Sequence, residues 1–141
     1  MAITQTATTS YKVELLSALH NFTSHTFKIA LYGAAAALDA TTTVYTTAGE
    51  ITGTGYTAGG MTLVVTPTYP LAVGTAAVVQ FNAPTWTTAT FTAYGALIYN
   101  ATSGNRAVAV LNFGAPMSVT AGNFTLTMPT ADANNALIRV V

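Results

Sequence analysis

Cysteine is absent from the 141 residues. Disulfides, thiolate metal sites and cysteine nucleophiles are therefore excluded, and the redox compartment is left open. Charge is nearly absent as well. Charged residues make up 6% of the chain, against about 25% in ordinary domains. The four basic residues, Lys12, Lys28, Arg106 and Arg139, are scattered and balanced by four acids. A nucleic-acid surface draws its affinity from grouped Lys and Arg, so no nucleic-acid partner is expected. Long hydrophobic runs are missing too. The most apolar stretch, Ile29–Leu38, falls far short of the roughly 20 residues that cross a bilayer, so no membrane partner is expected. The opening "MAITQTATTS" has no basic start followed by an apolar run, and it does not read as a signal peptide.

What is present argues against disorder. Hydrophobic residues make up 51% of the chain and aromatics recur along it. Threonine supplies about a fifth of the residues. So little charge on a folded domain suggests that partners cover much of its surface, and a homo-oligomer is expected.

Residues 1–9 are small and polar and read as a flexible or docking arm, with Ile3 as its large apolar anchor. Residues 10–141 read as a single β-rich domain. "SYKVELLSALHNF" carries Tyr11, Leu15, Leu19 and Phe22 at helical spacing, which predicts a helix near residues 11–22. Ser10 is a plausible N-cap, and Glu14 suits the first turn. "TFKIALY" then alternates Phe27, Ile29 and Leu31 against Lys28, Ala30 and Tyr32, as a strand with one buried face does. Further strands are expected at 61–66, 76–81, 89–99, 106–113, 123–128 and 136–141. "NATSGNR" suits a hairpin connection. The fold class expected is mainly β: an antiparallel sandwich or small barrel with one short N-terminal helix. Phe27, Ile29, Leu31, Leu97, Val108, Val110, Phe124 and Leu126 are the expected core.

"EITGTGYTAGG", residues 50–60, clusters glycines as phosphate-binding loops do. A P-loop needs a Lys-Ser/Thr pair after its last glycine, but Met61 and Thr62 stand there. A dinucleotide fingerprint needs a helix after the glycines, but "MTLVVTPTYP" reads as a strand. The segment is therefore read as a loop between strands, and no cofactor is expected. His20 and His25 lack a third zinc ligand nearby. Glu50 could meet Asp39 or Asp132 across a bond, as paired carboxylates do in glycosidases, but little other polar machinery accompanies them. Asp132, Asn134 and Asn135 in "TADANNA" read as an Asx turn and fall short of a calcium loop. No catalytic or metal-binding residue is assigned, and the protein is not expected to be an enzyme. Trp86, the single tryptophan, suits a core position, an interface anchor or, with Tyr56, Tyr69 and Tyr99, a sugar-stacking face.

Taken together, "SYKVELLSALHNFTSHTFKIALY", "ALDATTTVYTTAGEITGTGYTAGG", "WTTATFTAYGALIYN" and "RAVAVLNFG" resemble a family of small tailed-bacteriophage virion proteins, over nearly the whole chain. Tyr94 stands where the family pattern has a basic residue, and Asn112 where it has an acid. The resemblance implies a non-enzymatic structural component of the virion, assembled in the bacterial cytoplasm. A capsid decoration or cement protein bound to the major capsid protein is the preferred form. A tail-associated collar, ring or accessory protein is the alternative, and a carbohydrate- or receptor-binding module is a further one. Ile3, Gly53, Gly55, Tyr56, Gly59, Gly60 and Trp86 are the candidate interface residues. Glycine permits close backbone approach, and tryptophan favours interface centres.

Overall fold

The computed structural model describes residues 2–141. The chain forms β1 (Thr6–Ala7), α1 (Thr9–Leu16), β2 (Phe27–Tyr32), β3 (Met61–Leu63), β4 (Leu71–Val73), β5 (Ala76–Val79), β6 (Thr85–Asn100), β7 (Arg106–Thr125) and β8 (Ile138–Val140). These make two antiparallel sheets, one ordered β1-β7-β6-β2-β3 and the other β4-β5-β8. The fold is mainly β, as the alternating patterns predict. The long β6–β7 hairpin is its spine. Its turn is closed by Asn100, whose Oδ1 accepts the N–H groups of Thr102 and Ser103.

Beyond β3 the chain runs on beside the extension of β5. Val65 bridges Phe81, Thr66 N–H donates to the Gln80 carbonyl at 2.8 Å, and Asn82 N–H to that of Val64 at 2.8 Å. The two sheets are thus stitched together on the β3 side. On the opposite side, β1 and β8 are both sheet edges and do not pair. The described residues therefore form no closed barrel.

The helix is shorter than its sequence pattern, ending at Leu16 and not near Phe22. Thr8, and not Ser10, is the N-cap: its Oγ1 accepts Tyr11 N–H at 3.2 Å. Ala18 at φ 60 breaks the helix, and Leu19 N–H turns back to the Glu14 carbonyl. Phe22 still reaches the core from the loop, stacking on Phe27 at 4.4 Å. Leu16, the last helical residue, is 90% exposed.

The one-sided burial expected for β2 is corrected: Ala30 and Tyr32 are as buried as Phe27, Ile29 and Leu31. β2 lies inside its sheet, and both sheet faces are covered. Phe27, Ile29 and Leu31 join the main core with Phe22, Phe81, Trp86, Ile98 and Val108. Ala30 and Tyr32 face a second cluster with Leu38, Leu97, Tyr99 and Val110. Seven of the eight expected core residues are buried, and Leu126 is half-buried against the main core.

The segment read as a flexible or docking arm is docked on its own chain. Thr6 and Ala7 pair with Val110 and Ala109, and Thr4 N–H donates to the Leu38 carbonyl at 2.8 Å. Thr8 N–H donates to the Val108 carbonyl at 3.0 Å. Removing residues 2–9 would delete a strand and the helix cap together. Ile3 is half-buried and bridges Leu38, so its anchoring role is met within the chain.

Candidate functional site

The glycine segment is organised by Glu50. Tyr56 donates its hydroxyl to Glu50 Oε1 at 2.6 Å, Gly59 N–H donates to the same oxygen at 2.7 Å, and Tyr45 donates to Oε2 at 2.6 Å. Tyr99, stacked on Tyr45 with centroids 4.8 Å apart, donates to the Gly59 carbonyl at 2.6 Å. Leu31 N–H donates to the Tyr56 oxygen at 3.0 Å, which ties the knot to β2. The carboxylate is thus consumed by three donors from its own loop and its neighbours. Hydrogen bonds to a charged group contribute about 1.5–3 kcal/mol each. Glu50→Gln keeps the shape and removes the charge. We expect it to lower unfolding free energy by about 2 kcal/mol, measured by chemical denaturation. An unchanged midpoint would show that the knot is not structural.

Several tyrosines are held above their ordinary value by this packing. Burial raises Tyr11, Tyr32 and Tyr56, and for Tyr56 and Tyr32 the nearby Glu50 carboxylate adds to it. Each holds its proton more tightly folded than unfolded. The stabilisation is complete below the ordinary tyrosine value of 10.0 and is lost as pH rises above it. Tyrosinate absorbance followed against pH should rise late and together with unfolding. Reversible ionisation of all the tyrosines near pH 10.0 with the fold intact would contradict this burial.

Of the seven candidate interface residues two are buried, three are half-buried and two are exposed. Trp86 is 3% exposed and packs against Tyr56, Phe91 and Phe124, with centroids 6.4, 6.4 and 5.8 Å away. The ring is already enclosed by its own chain, as the core reading of this tryptophan expects. Gly59 is buried and Gly60 and Tyr56 are half-buried, while Gly53 and Gly55 are exposed. A Cβ on Gly55, at φ 80, would sit 2.9 Å from Ala89 Cα, so that glycine serves close packing on β6. Tyr99 is buried as well, which leaves few open aromatic faces for sugar stacking.

A second polar cluster, unread in the sequence, joins the helix to the β6–β7 turn. Glu14 Oε2 accepts from His20 Nε2–H at 2.8 Å, and Glu14 Oε1 accepts from Arg106 Nη1 at 2.8 Å. Asn100 Nδ2 donates to Nδ1 of both His20 and His25, at 3.0 Å each. Ser103 Oγ lies 3.5 Å from His25 Nδ1, which also accepts Asn21 N–H at 3.3 Å. The carboxylate and the serine thus meet different histidines, and no serine–histidine–acid relay is assembled. Asn100 was the missed centre. Its side chain looks like an ordinary turn residue until the fold brings both histidines to it.

The remaining acids are far from these clusters or satisfied locally. Asp132 accepts from the Asn135 side chain and from the N–H groups of Asn134 and Asn135, and these bonds hold it below its ordinary value. Asp39 is likewise lowered by Thr41, through its hydroxyl and its N–H. Tyr94 and Asn112 line one surface groove with Ile3. Asn112 spends its amide on the Ile3 carbonyl at 2.7 Å and its Oδ1 on Gly114 N–H at 2.8 Å. Among the described residues no group of three or more His, Cys, Asp or Glu side chains converges, and no helix is long and apolar enough to cross a membrane.

No family model matches the chain, and neither a curated protein nor a solved structure matches it.

Proposed function

We propose that this protein is a non-enzymatic structural component of a tailed-bacteriophage virion, a capsid decoration or cement protein that binds the major capsid protein and stabilises the shell. The observation that carries the reading is the joint presence, in order, of the virion-type stretches "TFKIALY", "GEITGTGYTAGG", "ATFTAYGALIYN" and "RAVAVLNFG". The surface supports it. Of four acidic and four basic residues, Glu14, Glu50 and Arg106 are engaged in the chain's own networks. The outside is left largely to threonine and alanine, with asparagine next, a surface with little to repel a neighbouring subunit. The polar clusters are closed on themselves, which suits a rigid module more than a reacting site.

The test is composition of purified particles. Quantitative mass spectrometry should find the protein at a copy number in the hundreds, the order expected for positions repeated across a shell, and particle reconstruction should place it on the capsid. About a dozen copies at the tail would support the tail-associated alternative. Absence from intact particles would refute both.

A further inference from the structure

The two sheets are stitched on one side and open on the other, and the open side has the form of an acceptor site. β1 and β8 face each other there as unpaired sheet edges. The space between them is a cleft in two parts of about 430 and 320 Å³. Gln5, Thr6 and Ala7 form one wall, and Leu137, Ile138 and Arg139 the other. Among the described residues no acidic side chain lines either part, and Arg139 is the single charged side chain there. Tyr11 lines the smaller part.

We propose that this seam accepts one extended, uncharged peptide segment of a partner protein, which adds as a strand between β1 and β8. A strand edge is a row of free N–H and C=O groups, and strand addition satisfies them with little demand on sequence. An occupant here has two different edges to meet, so it must be free on both of its own. Every strand described in this chain is already paired on at least one edge. A second folded copy therefore cannot supply the segment through any of these strands, whereas an extended tail of another protein can. An uncharged segment avoids burying a charge where Arg139 is the single charged side chain to pair with it. The partner's kind rests on the reading of this protein as a docked component, and the acceptor geometry does not.

The test uses the full chain and a capped peptide of alternating threonine and valine, with a capped threonine–proline peptide as a control that cannot form a ladder. Backbone amide exchange is measured residue by residue. At about 1 mM of the threonine–valine peptide, amides in 5–7 and 137–141 should exchange at least about tenfold more slowly, as expected for newly paired edges. The control peptide should change nothing. Ala7→Tyr places a bulky ring at a residue that lines both parts of the cleft and should abolish the protection, with circular dichroism checking the fold. If that variant does not fold, Arg139→Trp, at an exposed site lining both parts, takes its place. No protection of β1 and β8, or protection confined to other strands, would overturn the proposal. The same protection from self-association without peptide, seen by sedimentation, would overturn the choice of occupant. Absence of the protein from phage particles would refute the virion reading and leave the peptide result standing.

Discussion

Gly60→Ala is expected to prevent folding or to lower unfolding free energy by about 4 kcal/mol or more, beyond the range of ordinary substitutions. A Cβ at this position would lie 1.8 Å from the Ile29 carbonyl oxygen and 2.6 Å from its carbon. That oxygen belongs to the backbone of β2, so no side-chain rotation relieves the clash. β3 starts at the next residue and pairs with β2 through Ile29↔Met61, Lys28↔Thr62 and Phe27↔Leu63. Relief means moving that strand away and loosening the ladder. The φ of 78° adds left-handed strain of about 1–2 kcal/mol. Gly74→Ala separates the two effects. Its φ is 62° and nothing lies within 4 Å of an added Cβ. Strain alone should then cost about 1–2 kcal/mol. Denaturant midpoints of the two variants measure the difference, and equal losses would show that the close approach to β2 is absent.

This contrast also shows how far the glycine motif was legible. The cluster in residues 50–60 announced a special backbone, and the missing Lys-Ser/Thr pair removed the nucleotide reading. What the glycines make room for could not be read locally, because Ile29 and Ala89 lie about 30 residues to either side. The strands that alternate cleanly were legible for the same local reason. Burial on both faces of β2 was not, since it depends on Ile3 and on the loop through Leu38 reaching the second face. The pairing of residues 2–9 was not legible because small polar residues carry no period. Their order comes from backbone bonds to Leu38, Val108 and Val110, which no side-chain pattern advertises. The Glu14–His20–Asn100 cluster was hidden likewise. Its members lie on the helix, a loop and a distant turn, and each has an unremarkable local role.

Trp86→Ala is expected to cost about 3–5 kcal/mol of stability, the range for truncating a fully buried aromatic. Its ring is one of four that fill the space under the far half of the β6–β7 hairpin. Phe91 and Phe124 stand edge-on to each other at 5.2 Å, and Tyr56 meets Phe91 at 6.0 Å. Trp86 touches all three, and its strand partner across the ladder is Phe124. A two-stranded ribbon is at best marginally stable in water alone. This one has an exposed outer side carrying Thr87, Thr90, Thr92, Ser118 and Thr120, so its stability depends on the aromatic cluster within. Removing the indole opens a cavity there and also strips Tyr56 of a packing partner. Tyr56 in turn donates to Glu50 and receives Leu31 N–H, so the loss is expected to reach the glycine segment. Amide exchange in the variant should therefore accelerate at Leu31 and Gly59 as well as along the hairpin. An interface residue would behave in the opposite way: its truncation would leave the isolated protein's stability within about 0.5 kcal/mol, as exposed substitutions do, and would weaken assembly alone. Thermal and denaturant unfolding of the isolated variant separates the two roles without any partner present.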